Sequence, residues 1–327
     1  MLYFAPKEKI VLEPKNILIS CVICTYKRPE MLGLALESML HQSLPPDEFE
    51  VIMVDNNSGD RTETVVKNFQ ERAPFPVIYL LEMKQGLSNA RNAGIQLARG
   101  KYVAFLDDDA EADPGWLAAF VGTFETSHEF FVVGGKILPL WDASRPSWLT
   151  DDLVNNFSML DMGDNRRILS WPEHVLGTSC FRKSVFDEVG YFEPRLGRSA
   201  DLLVGDEDTE IQRRVYAAGK QVVYAPDAVV WHHISPDRLN KKYIYARAYG
   251  TGRSRAVLAC GNARTGIIVW QFIRAFAGLM YYFAILLWAV WYEGRRTKTI
   301  RSIYAKLGFL NQSWLYIVKN IKRRFNE

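Results

Sequence analysis

The first 110 residues alternate between short apolar runs and stretches in which apolar residues recur at helical spacing. A short apolar run predicts a buried strand, and recurrence every three or four positions predicts a helix with one buried face. The predicted strands are residues 17–24, 49–55, 76–81 and 102–106. The predicted helices are residues 28–43, 59–70 and 86–100. This order predicts an α/β fold with a mainly parallel sheet flanked by helices.

Local signals support two of these helices. Pro29 stands at a favoured first helical position, where its missing N–H costs nothing. Ser88 is expected to cap the helix in 86–100, and Gly100 is expected to end it.

Polar residues follow three of the predicted strands at the point where each strand ends. They are the Thr25–Tyr26 pair, the Asp55–Asn56 pair and the run Asp107–Asp109. In open α/β sheets, ligands bind beyond the carboxyl ends of the strands. We therefore expect these three groups to converge on one ligand site, with plain loop polarity as the alternative.

The aspartate run poses a physical question, because adjacent carboxylates repel each other and prefer water to burial. A hard divalent cation bound through carboxylate oxygens would remove that repulsion and could also hold a diphosphate. In an extended strand, Asp107 and Asp109 would share a face and Asp108 would point elsewhere.

Several other phosphate or metal sites are excluded by spacing. A calcium-binding EF-hand loop that starts at Asp107 needs glycine and glutamate where the chain has Ala112 and Ala118. The segment CTYKRPEML after the first strand contains neither G-x-G-x-x-G nor a P-loop. Cys21 and Cys24 could suggest a zinc or redox pair, but they lie inside an apolar strand, and no second C-x-x-C completes a zinc site.

The second part of the chain, residues 131–231, is less regular and rich in Trp, Gly and Pro. We expect strands and long loops that pack against the first sheet. It contains an acidic helix start, in which carboxylates also suit the helix dipole, and then His232 and His233 after an apolar strand. A histidine here can be structural or a ligand, and a mixed oxygen and imidazole set suits Mn²⁺ as well as Mg²⁺.

Composition and charge add a membrane hypothesis. The 327 residues carry a net charge of +3, which does not imply a nucleic-acid partner. The apolar run 275–292 approaches the about 20 residues needed to span a bilayer. Basic residues follow it, which favours a cytoplasmic side and anionic lipid. The run is expected to be a re-entrant or interfacial membrane segment, and the alternative is a buried helix of a soluble protein.

Taken in order, the motifs of residues 17–255 resemble inverting glycosyltransferases of family 2, which have the GT-A fold, and in particular those of bacterial polysaccharide biosynthesis. The motifs that carry the resemblance are ISCVICTYKRPEMLGLALESML, VIMVDNNSGD, GLSNARNAGI, VAFLDDDAEADPGWL, GTSCFRKSVFDEVGYFEP, GDEDTEIQRRVYAAGK and VVWHHISP.

The resemblance implies roles for individual residues. Those implied to bind the nucleotide are Thr25, Tyr26, Arg28, Asp55, Asn57, Arg91, Asp107 and Asp108. Those implied to hold Mn²⁺ or Mg²⁺ are Asp107, Asp109 and His232, although three consecutive aspartates permit a second register of the D-x-D motif. Asp208 is implied to be the catalytic base, and Trp148 and Glu207 are placed on the acceptor side.

The resemblance also implies a function and an organisation. Residues 1–16 are expected to be an extension, 17–235 the GT-A domain and 236–327 a helical, membrane-associated region. Within the GT-A domain, 17–110 would bind the nucleotide and 111–235 the acceptor. The enzyme would transfer a sugar from a nucleotide-sugar, with uridine preferred over guanosine or thymidine, to a saccharide acceptor. The apolar run 275–292 and the basic residues around it suit an acceptor that is lipid-linked. It would act at the cytoplasmic face of the inner membrane.

Two other functions remain open from the sequence. A sugar nucleotidyltransferase also uses an α/β sheet and metal-bound aspartates, but a glycine- and basic-rich loop would be expected after its first strand. A non-catalytic membrane-bound nucleotide-binding module would be expected to lack the base or a metal ligand. Asp107, Asp109, Asp208 and His232 are all present.

Overall fold

The structure is a computed structural model that describes residues 17–198, 205–261, 263–289 and 293–326. The predicted extension 1–16 and the end of the predicted apolar run, 290–292, lie outside the described residues. The strands are β1 (Ile19–Thr25), β2 (Phe49–Asp55), β3 (Val77–Leu81), β4 (Tyr102–Asp107), β5 (Ala110–Ala112), β6 (Phe130–Trp141), β7 (Arg167–Leu169), β8 (Ser179–Arg182) and β9 (Gln221–Ile234). The helices are α1 (Pro29–Met39), α2 (Thr62–Gln70), α3 (Leu87–Leu97), α4 (Trp116–Glu125), α5 (Asp151–Val154), α6 (Val185–Val189), α7 (Glu207–Ala217), α8 (Lys241–Cys260), α9 (Thr265–Trp288) and α10 (Glu293–Asn326).

The strands form one mixed sheet in the order β3-β2-β1-β4-β8-β6-β9-β5, with β7 paired to β9. The first four strands are parallel, as the alternation of strands and helices predicts. The second half brings antiparallel pairs, because β8 runs against both β4 and β6, and β5 and β7 run against β9. The predicted α/β sheet with flanking helices is confirmed.

Helices cover both faces of the sheet, so that its central strands are buried on both sides. One core cluster joins β1 and β2 to α1, α2 and α4, and the other joins the opposite strand faces to α3, α6 and α7. Cys21 belongs to the first cluster and Cys24 packs against the second, because positions three apart in a strand point to opposite faces. The two thiols therefore do not form a metal or redox pair, and both are free cysteines.

The predicted cap of α3 is wrong. Gly86 occupies the N-cap position with a φ of 124°, a conformation that favours glycine, and Ser88 lies inside the helix. The Ser88 hydroxyl donates to the backbone oxygen of Leu196 at 2.7 Å. It therefore ties α3 to the loop after α6.

The last three helices form a unit attached to the sheet domain. α8 and α10 pack so closely that a Cβ on Gly252 would lie 1.9 Å from the backbone oxygen of Ala305. α9 packs on α10 through a small apolar seam. The α10 side chain of Arg301 donates from Nε to Asn156 Oδ1 at 2.6 Å, which links the unit to the segment after α5.

Most of α9 is not covered by protein. It is a single helix of 24 residues that is long and apolar enough to cross a membrane. Only 17% of its most apolar stretch of 18 residues is buried. Its exposed side chains include Trp270, Ile273, Phe276, Tyr281, Leu287 and Trp288. The described part of the predicted apolar run is thus an outward-facing helix and not the buried core helix of a soluble protein.

Candidate active site

A cavity of about 400 Å³ opens beyond the carboxyl ends of β1 and β4. Polar groups from distant parts of the chain line it, as the strand-end argument predicts. Those that carry charge are Arg28, Arg91, Asp107, Asp108, Asp109, Arg198, Asp206, Glu207, Asp208, Arg238 and Arg247. The uncharged lining includes Thr25, Tyr26, Asn56, His174, Gly177, Thr178, His232 and Tyr243.

The three aspartates do not follow the alternation expected of an extended strand. β4 ends at Asp107 and the chain turns at the next two residues. As a result, Asp108 and Asp109 both accept from Arg28 Nη1, at 3.2 and 3.0 Å. Asp107 instead faces Arg91, with Oδ1 3.4 Å from Nη2. The expectation that Asp107 and Asp109 share a face is therefore wrong.

The pKa values of Asp108 and Asp109 are shifted in opposite directions. Burial and the neighbouring Asp109 raise the pKa of Asp108 to about 6, even though its Oδ2 accepts from the Thr25 hydroxyl at 2.7 Å. Burial also opposes the charge of Asp109, but His232, Arg238 and Arg28 hold its pKa well below the usual range. Asp109 is thus the carboxylate that stays ionised in this turn.

The two adjacent histidines of β9 have different surroundings. His232 faces the cavity, with Nε2 3.4 Å from Asp109 Oδ1 and 3.1 Å from Arg238 Nη1. His233 faces away and bridges Asp142 and Glu111 at 2.8 and 2.7 Å. Burial lowers the pKa of His233, but the two carboxylates outweigh burial and raise it. Of the two, only His232 lines the cavity, which is the choice made from the sequence.

The catalytic-base candidate sits in a second charge cluster, centred on Arg91. Arg91 Nη1 donates to Asp208 Oδ1 at 2.7 Å and to Glu207 Oε1 at 3.1 Å. The guanidinium is buried against two aromatic rings that also contact each other, and Cζ lies 5.4 Å from each ring centroid. The Asp208 side chain is 19% exposed and that of Glu207 is 7% exposed. Asp208 is thus the more accessible carboxylate.

The pKa of Glu207 lies close to neutral pH. Burial and the adjacent charge of Asp208 raise its pKa to about 7, although Arg91 lowers it. A carboxylic acid with such a pKa can take up or release a proton close to physiological pH, which is the range that acid–base chemistry needs.

Comparison with known proteins fits this geometry. The sequence model of glycosyl transferase family 2 matches residues 20–190, which run from β1 to the end of α6. This chain belongs to glycosyl transferase family 2. It is 31% identical over 247 residues to the glucosyl-dolichyl phosphate glucuronosyltransferase of Haloferax volcanii, a match that covers 73% of this chain and 77% of that one.

Other relatives extend the likeness. The succinoglycan biosynthesis protein ExoM of Rhizobium meliloti is 25% identical, over 77% of this chain and 79% of its own. The mannosyltransferase PcManGT of Pyrobaculum calidifontis, solved with GDP-Man and Mn²⁺, shares the fold with a TM-score of 0.63. It is 18% identical and covers 92% of this chain and 88% of its own. S. aureus TarS has a TM-score of 0.52 at 19% identity, and the match covers 74% of this chain and 42% of TarS. The family, the GT-A type of fold and glycosyltransferase activity are therefore established.

Not every predicted site residue of this glycosyltransferase reaches the cavity. Asp55 is buried beside it, where its two oxygens accept from Ser58 N at 2.8 Å and from the Tyr79 hydroxyl at 2.9 Å. Asn57 adopts a positive φ of 62° in the turn, and its neighbour Asn56 lines the cavity instead. Trp148 packs in an apolar cluster with α8 and does not line the cavity.

Sequence reasoning missed several residues of this site. Arg238 follows β9 in the SPDRL segment, and Tyr243 and Arg247 lie one turn apart on α8. Gly177 was also missed, although a Cβ there would lie 2.8 Å from Arg91 Nη2 and 3.4 Å from Asp208 Oδ2. No spacing rule marks these positions, because each reaches the site from a distant part of the chain.

Proposed function

We propose that this enzyme transfers a sugar, with inversion and with the help of a divalent metal, from a nucleoside diphosphate sugar to a lipid-linked saccharide. Uridine is the proposed nucleoside. One observation carries the proposal: Asp107 and Asp208 lie on the same buried Arg91, in a cavity that also holds the Asp109–His232 pair. A base candidate and a diphosphate site are thus neighbours, as direct displacement requires.

The donor is proposed to bind across the ends of β1, β2 and β4. Thr25, Tyr26 and Arg28 line the cavity there, and Asp108 is held by the first and last of them. A carboxylate offers about four acceptor positions, so Asp55 can accept a pyrimidine N–H beside its two present bonds. Asn57 is proposed at the rim of the same base site. Asp107, the most accessible of the three adjacent aspartates, is proposed to contact the ribose and the metal side.

The donor groups present suit Mn²⁺ or Mg²⁺. No group of three metal-binding side chains occurs among the described residues, but Asp109 and His232 form a pair 3.4 Å apart. Magnesium is commonly held by one or two carboxylates together with substrate phosphates and water, and imidazole extends the choice to manganese. Asp109 and His232, with Asp107 nearby, would hold the ion, which when bound would neutralise charge on the departing diphosphate.

The chain's own residues supply the proton transfer. An acceptor hydroxyl becomes a competent nucleophile when Asp208 takes its proton. The oxygen then forms a bond to the anomeric carbon, and the bond from that carbon to the diphosphate oxygen breaks with its electron pair leaving on the nucleoside diphosphate. Because attack and departure occur on opposite faces, configuration inverts without a covalent intermediate. Arg91 orients Asp208 through the 2.7 Å hydrogen bond.

The acceptor is proposed to enter past Glu207 and the start of α7. Two polar atoms that line this side, Thr178 Oγ1 and Asp206 Oδ2, are buried and have no hydrogen-bond partner among the described residues. Buried polar groups are normally satisfied, so unpaired ones in a cavity suit a ligand with many hydroxyls. Trp148 is farther from the cavity and is proposed only as a support of the acceptor side.

We propose that residues 17–235 act as the catalytic domain and that 236–327 bind the cytoplasmic face of the plasma membrane. The exposed aromatic and aliphatic side chains of α9 suit the interface between headgroups and acyl chains. On α9, the Arg274 guanidinium lies 5.2 Å from the centroid of the Trp270 ring. On α10, Lys306 packs against α9 at Gly278, where a Cβ would lie 3.2 Å from Lys306 Nζ. A crossing α9 would carry both charges into the hydrocarbon, which is costly, so α9 is proposed to lie in the interface.

A donor screen tests the enzyme proposal. The purified full-length protein is incubated in detergent with Mn²⁺ and a panel of nucleotide sugars, and released nucleoside diphosphate is measured. Asp208→Asn serves as the control, because it keeps the size of the side chain and removes the base. Release from a UDP-sugar that the variant loses is the expected result.

The alternatives give different outcomes. A sugar nucleotidyltransferase would release pyrophosphate from a nucleoside triphosphate and a sugar phosphate, and no nucleoside diphosphate. A non-catalytic module would bind nucleoside diphosphate equally well with and without the Asp208→Asn substitution, and it would release none. Failure of UDP and GDP to bind with Mn²⁺ would contradict the proposed donor site.

A further inference from the structure

The cavity has a second side whose charge the proposed reaction does not use. Of the five arginines that line it, Arg28, Arg91 and Arg238 pair with carboxylates. Arg198 and Arg247 form no ion pair with any carboxylate in the described part of the chain. Both are half-buried. Burial raises the pKa values of Asp206 and Glu207, but Arg247 lowers the first and Arg198 lowers the second, so carboxylates are near. Neither guanidinium, however, is held in a direct ion pair with them. Such a guanidinium in a partly buried place suits an anionic ligand.

Arg247 is held in position by neutral groups. Its Nη2 donates to Ser158 Oγ at 2.6 Å, and Ser158 also lines the cavity. Tyr243 lies one turn earlier on α8. The Cζ atom of Arg238 is 5.9 Å from the centroid of the Tyr243 ring. The guanidinium is thus fixed at the cavity wall with donors to spare, since it has five N–H groups.

The directions of two pKa shifts agree with an accumulation of positive charge on this wall. Burial and the neighbouring cation Arg198 lower the pKa of Arg247. Burial raises the pKa of Tyr243, but Arg247, Arg198 and Arg238 outweigh burial and lower it. Like charges gathered in a partly dry wall repel one another, and a bound anion would relieve that repulsion.

We propose that Arg198, Tyr243 and Arg247 form an anion subsite for the phosphate ester of the acceptor, where a saccharide joins its lipid. This inference rests on the proposed lipid-linked acceptor. Tyr243 and Arg247 lie on α8, and Arg198 reaches the subsite from the segment after α6. α8 packs against α10, and α10 carries the apolar α9. A phosphate there would let its sugar reach Asp208 while its lipid runs toward α9. The donor diphosphate is the other possible anion, but it belongs beside Asp109 and His232, where Arg238 is already paired.

Prenyl phosphate binding tests the subsite in the full-length protein. Farnesyl phosphate is titrated into protein saturated with UDP and Mn²⁺, and the same titration is made with inorganic phosphate and with farnesol. Arg247→Gln removes a cation of the subsite, and Arg198→Gln is a second variant on a different segment. Lys242→Gln removes a charge from an exposed position of α8 and is the matched control.

We expect farnesyl phosphate to bind and each arginine variant to weaken it by about 10- to 100-fold, the effect of one lost charge-assisted hydrogen bond. Lys242→Gln should bind as the unchanged protein does, and UDP–Mn²⁺ affinity should be the same in all four proteins. Equal farnesyl phosphate binding in both arginine variants would overturn the proposal. So would competition with UDP, or inorganic phosphate binding as tightly as farnesyl phosphate.

The design separates this inference from the proposed function. If UDP and Mn²⁺ do not bind the unchanged protein, the proposed function fails, while titration of farnesyl phosphate without nucleotide still decides the subsite. If UDP binds and farnesyl phosphate does not, the subsite fails and the donor side stands.

Discussion

The stability of a Glu207→Gln variant, compared with that of the unchanged protein, should increase as pH rises. Burial and the charge of Asp208 raise the pKa of Glu207 from 4.5 to about 7 in the folded protein. The folded state therefore favours the protonated acid. Its stabilising contribution is complete below pH 4.5 and is lost as pH rises through about 7. Glutamine has no proton to lose and can still accept from Arg91.

The size of the effect follows from the pKa difference. A shift of about 2.5 pH units at about 1.4 kcal/mol per unit corresponds to about 3 kcal/mol in the free energy of unfolding. Solvent screening reduces this little, because the side chain is 7% exposed. Between about pH 5 and about pH 8, the variant should thus gain most of about 3 kcal/mol relative to the unchanged protein.

Urea unfolding of both proteins at pH 5, 6, 7 and 8, without nucleotide or metal, measures this difference. Glu193→Gln is a suitable control, since Arg195 lowers the pKa of Glu193 and its contribution changes only at more acidic pH. The control should therefore show a constant difference from pH 5 to pH 8. A difference for Glu207→Gln that stays flat within about 0.5 kcal/mol, or that falls with pH, would refute the electrostatic argument.

Three further predictions concern the site and its support. Asp208→Asn should lower kcat by at least about 100-fold in the nucleoside diphosphate release assay while UDP affinity measured by calorimetry stays within about threefold, and retained turnover would exclude Asp208 as the base. Gly177→Ala should lower kcat about tenfold or more, because the new methyl displaces the Arg91 guanidinium that orients the base; an unchanged rate would contradict that role. Gly308→Ala should destabilise the protein by about 1–3 kcal/mol in a urea melt, since its Cβ would lie 2.0 Å from a backbone oxygen of α8. Gly266→Ala, with nothing within 4 Å, is its control and should be nearly neutral.

The first half of the fold could be predicted because its signals are local. Each of β1, β2 and β4 is a continuous apolar run, and each helix between them has one apolar face. A parallel strand pair needs a crossover helix, so the order of elements already implies that these strands run parallel, but not that β4 lies beside β1. The cap of α3 was missed because its signal is a backbone conformation at Gly86 and not a side chain.

The second half could not be predicted in the same way. β8 is four residues long, and it joins the two halves of the sheet by pairing with β4 and β6. A strand this short carries no periodicity, and its place depends on contacts with segments far away in the sequence. The 14-residue β9 was recognisable as apolar, but its partners β5, β6 and β7 were not.

The residues of the site also fall into two groups, those that the sequence could suggest and those that it could not. Asp107, Asp208 and His232 could be proposed from the sequence because they lie in motifs that resemble those of the family, and all three line the cavity. Arg238 and Arg247 could not, since an isolated arginine after a strand or on a helix is ordinarily a surface residue. These arginines line the site only because α8 folds over the carboxyl edge of the sheet.

The aspartate run illustrates why this closure matters. Three adjacent carboxylates would repel each other in an isolated loop, yet each has a cationic neighbour: Arg91 for the first, and Arg28 and Arg238 for the other two. These arginines come from α3, from the turn after β1 and from the segment after β9. The fold must therefore be complete before the run becomes tolerable, so its charges depend on the tertiary structure that they serve. This dependence predicts that loss of Arg28 leaves the buried Asp108 without an ion-pair partner in the described part of the chain, which is more costly than loss of both partners together.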